Sequence, residues 1–130
     1  MTGDPDDVEV ALAGQHADKK RLLKGQLRSI EEEIVERRLI ASDTSLQVYD
    51  EVGVLDTTMA NLRPAHENAP DVERKDRMIL EREKLDLTKE IREEQRDSWK
   101  DVQQLKREER EVEKELVGEN QRHNRVKELL

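Results

Sequence analysis

Apolar residues recur along this chain at alternating steps of four and three. From Leu23 they fall at Leu27, Ile30 and Ile34, and a second run reads Val48, Val52, Leu55, Met59 and Leu62. A third run passes through Val102, Leu105, Val112, Leu116, Val126 and Leu130, with Glu109, Glu119 and His123 as its polar members. A period of about 3.5 residues belongs to coiled-coil helices, which keep one narrow stripe toward a partner. A disordered chain has no cause to hold such phase. The pattern predicts helix.

Punctuation supplies the boundaries. In Asp4-Pro5-Asp6-Asp7, Asp4 is suited to cap a helix, Pro5 to its first position, and the acids to its positive dipole end. Pro64 lacks an N–H and is expected to stop that helix, while Pro70, followed by Asp71 and Glu73, opens the next. The expected organisation is one domain: a first arm over 6–62, a polar loop over 63–70 and a second arm over 71–128. Arms of equal length around a short loop predict an all-α antiparallel coiled-coil hairpin, each arm ~85 Å long. The pairs Asp71–Lys75, Glu73–Arg77 and Glu33–Arg37 place the acid four residues before the base, an arrangement that supports a helix.

Two readings of the first arm stay open. Continuing the apolar spacing from Ile34 to Val48 through 38, 41 and 45 contains one extra step of four. The second arm has the same slip at Leu87, Ile91, Gln95, Ser98 and Val102. Insertion of four residues locally unwinds a supercoil, and both strands of one hairpin should unwind together, near residues 38 and 95. Against a continuous arm, Thr44-Ser45-Leu46-Gln47 is a capping-box pattern, so a kink or break near 42–45 would divide the arm into 6–41 and 45–62.

Folding the arms together pairs Leu27 with Leu105, Ile30 with Val102, Ala41 with Ile91 and Val52 with Leu80. The hairpin seam is accordingly assigned to Leu23, Leu27, Ile30, Ile34, Val52 and Leu55 on the first arm. On the second it takes Leu80, Leu87, Ile91, Val102, Leu105, Val112 and Leu116. Further apolar residues lie off this seam: Val35, Leu39, Leu46 and Tyr49 on one arm, and Met78, Leu85 and Trp99 at multiples of seven on the other. So few apolar layers stabilise long helices poorly, and these side rows are expected to meet another helical surface in an oligomer or larger assembly.

Composition narrows the function. Charged residues are 43% of the 130, hydrophobic ones 33% and aromatics 2%, and cysteine is absent. Ordinary domains run about 45–50% apolar and about 25% charged, so a compact enzyme core is excluded. His16, His66 and His123 are far apart in sequence, and His16 and His123 are about two turns out of the hairpin register, so no metal site is assigned. The carboxylates form no isolated acid–base couple, no glycine-rich phosphate loop exists, and neither catalytic residues nor cofactors are assigned. Lys19, Lys20, Arg21, Lys24, Arg28, Arg37 and Arg38 make a basic stretch, but net charge −8 and the missing aromatic platforms argue against nucleic acid. No segment is apolar enough for membrane insertion, and the acidic residues near the N-terminus are unlike a signal peptide. The expected setting is an intracellular soluble protein or a macromolecular particle.

The stretch Val48-Tyr49-Asp50-Glu51-Val52-Gly53-Val54-Leu55 resembles the V-Y-x-x-V-G-x-L segment between the two helices of prefoldin-type chaperone subunits. That resemblance implies a strand near 48–58 and a holdase role in a hexamer. Asp56-Thr57-Thr58 then departs from the family's apolar strand, and Pro64 and Pro70 fall where its second helix would run. The leading expectation is a non-enzymatic coiled-coil spacer, adaptor or assembly component with protein partners. The alternatives are a prefoldin-like holdase and a hairpin whose tip, Arg63 to Asn68, regulates a larger machine.

Overall fold

The computed structural model describes residues 5–130, so the cap assigned to Asp4 lies outside it. The fold is all-α: α1 spans Pro5–Ala65, α2 spans Pro70–Leu129, and they run antiparallel from the turn that joins them. α1 is unbroken through 42–47, which decides between the two readings of the first arm. Residues 48–58 are helical throughout, so the strand implied by the prefoldin resemblance is not formed. Each helix carries acids in its first turn (Asp6 and Asp7; Asp71 and Glu73) and a base in its last (Arg63; Lys127), matching its dipole.

The connection is shorter than the expected 63–70. Pro64 lies inside the last turn of α1, and the His66 N–H still donates to the Leu62 carbonyl at 2.9 Å. Proline removes one ladder hydrogen bond, and because α1 ends one residue later the disturbance does not propagate. At the other side, the Ala69 carbonyl accepts from Val72 and Glu73, both at 3.1 Å, which makes Ala69 the cap residue and Pro70 the first helical position. There the missing N–H would have no intrahelical partner in any case. The turn itself closes with the Ala69 N–H donating to the His66 carbonyl at 2.9 Å.

The chain divides into two compact units. One comprises the chain up to Glu36 with Val102–Leu130, and the other is Arg37–Asp101, which contains the turn. In the first unit Leu23, Ile34 and Val102 are buried, with Leu27, Ile30, Leu105, Val112 and Leu116 half-buried. In the second, Val48, Met59, Leu62 and Ile91 are buried beside Ser98, with Val52, Leu55, Leu80 and Leu87 half-buried. All thirteen residues assigned to the seam thus face inward. No side chain among the described residues is completely enclosed.

The register differs in detail. Arg38 and Gln95, which the spacing placed inward, are exposed; Arg37 and Glu94 occupy the seam instead. On α1 the regular spacing runs from Leu23 through Arg37, Ala41 and Thr44 to Val48, and the extra four falls at Val48–Val52. On α2 the spacing is regular from Arg77 to Ser98 and the extra four falls at Ser98–Val102, so each helix has one slip, displaced from the expected positions near 38 and 95.

Gly53 stands in mid-helix with open space where a Cβ would be, and no described residue has a positive φ. Just beyond it, the Thr57 and Thr58 hydroxyls donate to the Gly53 and Val54 carbonyls at 3.0 and 2.8 Å. Nothing in the packing requires a glycine there. Gly53→Ala should raise stability by about 1 kcal/mol, read as a higher thermal midpoint with undiminished ellipticity at 222 nm. A strand or turn at this position would give the opposite sign.

Candidate interaction surface

Helix geometry turns the buried seam into a reference for everything outside it. A residue one position after a seam residue lies on one flank of the seam, and a residue one position before it lies on the other. In an antiparallel pair the two following positions share one face and the two preceding positions share the opposite face.

In the second unit the following positions carry Tyr49 after Val48, Met78 after Arg77, Leu85 after Lys84, Arg92 after Ile91 and Trp99 after Ser98. They extend into regular rows. With residues two positions after the seam (Leu39, Leu46, Arg82, Lys89 and Arg96), the rows read Leu39, Ser42, Leu46, Tyr49 on α1 and Met78, Arg82, Leu85, Lys89, Arg92, Arg96, Trp99 on α2, in steps of three and four. The apolar members are more than half exposed: Leu39 58%, Leu46 60%, Tyr49 57%, Met78 66%, Leu85 70% and Trp99 65%. Val35, the remaining residue of the proposed partner surface, is 57% exposed in the first unit. The cations in this unit's ion pairs are Arg37, His66, Arg77 and Lys84. Arg82, Lys89, Arg92 and Arg96 have no ion-pair partner among the described residues.

The preceding positions build a different surface, which periodicity alone did not reveal. Glu51, Val54, Glu83, Asp86 and Glu90, with Leu55 and Leu87 beneath them, line an open groove of about 500 Å³. Its floor is aliphatic and its walls are four carboxylates. No cation lines it, and none of the four takes part in an ion pair among the described residues. The signal for it was present in the sequence as acids and valine one step before seam residues.

Polar cross-links fix this unit. Arg37 Nε donates to Asp101 Oδ2 at 2.7 Å and its Nη1 to Glu94 Oε1 at 2.6 Å, with the Arg37 side chain only 18% exposed. The hydrogen bond to Asp101, then that to Glu94, raises the guanidinium pKa and holds its charge. Lys84 Nζ donates to Asp56 at 2.7 Å, and near the turn His66 Nε2 lies 3.1 Å from Asp76. Of the expected pairs along a helix, Glu73–Arg77 forms at 3.3 Å, whereas Arg37 turns across to α2 instead of to Glu33.

The first unit corrects the reading of the histidines. His16 and His123 stack with ring centroids 4.0 Å apart and planes within 7°. The expected pairing, with Leu27 on Leu105 and Val52 on Leu80, is corrected here: His16–His123, Lys19–Glu119 at 3.2 Å and Asp56–Lys84 at 2.7 Å join residues whose numbers sum to 138–140, about a heptad beyond the 132 of those pairs. Parallel stacked rings hold their nitrogen lone pairs in separate planes, and no group of three or more His, Cys, Asp or Glu among the described residues is placed to bind a metal ion. Glu119 is the electrostatic centre here. Lys19 first, with His16 at 3.4 Å and Arg122 at 3.8 Å, draws its pKa down against a smaller opposing effect of burial.

The chain matches the model of a family of unknown function, DUF8104, over residues 4–130, and belongs to that family. No curated protein and no solved structure matches it.

Two measurements test these contacts. Arg37→Gln should cost about 1–2 kcal/mol in urea unfolding, since it leaves Glu94 and Asp101 without their charged donor. The Glu119 carboxylate has a lower pKa folded than unfolded, so its contribution to stability is present above the ordinary glutamate range. That contribution disappears as pH falls through the depressed value. Lys19→Met should move the Glu119 carboxyl titration, followed by carbon NMR, upward.

Proposed function

We propose that the chain is a non-enzymatic coiled-coil structural and interaction protein, a spacer, adaptor or assembly component that binds protein partners through the helical faces of its second unit. The observation that supports this is the row of exposed apolar side chains at heptad spacing, Leu39, Leu46 and Tyr49 on α1 with Met78, Leu85 and Trp99 on α2. A merely solvated helix face has no cause to repeat apolar residues at the coiled-coil period. Large exposed apolar rows rimmed by charge mark association surfaces. Burial of one such side chain is worth about 1.5–3 kcal/mol, so a few suffice for stable association. No described helix is long and apolar enough to cross a membrane.

The reading makes a protein–protein joint from residues that leave the hairpin seam untouched. Leu85→Glu with Trp99→Glu should therefore abolish cross-links between this chain and its partner at native abundance while leaving ellipticity at 222 nm unchanged. Cross-links in the parent should map to residues 39–49 and 78–99. Retention of the same cross-links in the double variant would refute the assignment.

A further inference from the structure

The second unit presents two different charged surfaces that its own ion pairs leave unsatisfied. The preceding positions form the groove whose walls are Glu51, Glu83, Asp86 and Glu90 and whose floor is Val54, Leu55 and Leu87. Positions one and two after the seam of α2 form a row in which Leu85 and Trp99 stand with Arg82, Lys89, Arg92 and Arg96. Four carboxylates around an aliphatic floor require an occupant that is cationic and apolar along one helical edge. The α2 row has that character.

We propose that the groove is the docking site for the α2 basic row of a second copy of the chain, so that second units stack face to back. This deepens the reading of the unit as an interaction surface and rests on it. Three observations favour a second copy. The charges are opposite and equal in number, four carboxylates against four cations. On α2 both sets recur at heptad-compatible steps, 83, 86 and 90 against 82, 89, 92 and 96. Both occur in every copy, so each molecule donates a row and offers a groove.

The geometry has a definite symmetry. Groove and row are different surfaces, so the contact is heterologous, and such contacts propagate unless a rotation closes them into a ring. Association should therefore give a concentration-dependent series of species. It should weaken with salt, because exposed charge pairs are screened within about 10 Å at 0.1 M ionic strength.

The test uses the full chain in sedimentation velocity at low and high salt. Self-association of the parent is expected at low salt and loss of it at high salt. Glu83→Lys with Glu90→Lys reverses the groove, and Arg92→Glu with Arg96→Glu reverses the row. Each should weaken association by roughly tenfold or more, with helicity by circular dichroism as the check on folding. An equimolar mixture of the two reversed proteins should regain association, since each then offers the complement of the other. A parent that stays monomeric at low salt overturns the second-copy proposal, and partner cross-links sensitive to Leu85→Glu and Trp99→Glu would leave the broader reading intact. Association indifferent to both reversals, or reversals that fail to complement, overturns the pairing of groove with row.

Discussion

Two helices in contact along one line can bury one stripe each. That limit governs this protein: its buried positions are single residues at steps of three and four, and no described side chain is wholly enclosed. Helical stability in such a structure comes chiefly from tertiary packing, because isolated helices are weakly stable in water. The seam also admits polar members. Arg37 and Glu94 occupy positions that an apolar pair would otherwise fill, and Ser98 is buried among them. The Arg37 arrangement works because both carboxylates are within hydrogen-bond distance, so the charge is not left alone. A paired charge of this kind specifies alignment more than it adds stability.

The charged surface then has structure of its own. Charged residues make up 43% of the chain, a proportion that reads at first as uniform solvation. Sorting them by their position relative to the seam separates an acid-walled groove from a basic and apolar row. The distinction is angular, about 100° of helix rotation for each residue, and it disappears when charges are merely counted along the sequence. Local ion pairs take up some of these groups, such as Asp56 with Lys84. Those left over define the surfaces on which the proposed association depends.

Much of this was legible in the sequence, and the exceptions have physical causes. The helices and their antiparallel order follow from spacing alone, and the thirteen residues assigned to the seam are buried or half-buried. The end of α1 was misplaced because Pro64 was treated as an absolute stop, although a proline in the final turn forfeits one hydrogen bond. Between Ile34 and Val48 the seam position expected at Arg38 falls at Arg37, while Ala41 is inward as expected. Two long charged stretches, Glu36-Arg37-Arg38 and Glu93-Glu94-Gln95, give no apolar clue to which member turns inward. The stacked histidines were missed because apolar matching set the two arms about a heptad away from the register that their contacts show. The groove was overlooked since its acids resemble any solvated face until both helices are aligned.

Seam, groove and row are consecutive positions on α2: Glu90, Ile91 and Arg92 serve the three in turn, as Glu83, Lys84 and Leu85 do one heptad earlier. This adjacency makes α2 sensitive to reading-frame length in a way that it is not sensitive to substitution. A point change alters one surface and leaves its neighbours. Deleting one codon early in α2 would rotate everything beyond it by one position, bringing Leu85 and Arg92 into the seam and moving Ile91 onto the wall of the groove. A change of seven residues in α2 keeps seam, groove and row in phase, whereas a change of one moves each residue to a neighbouring surface.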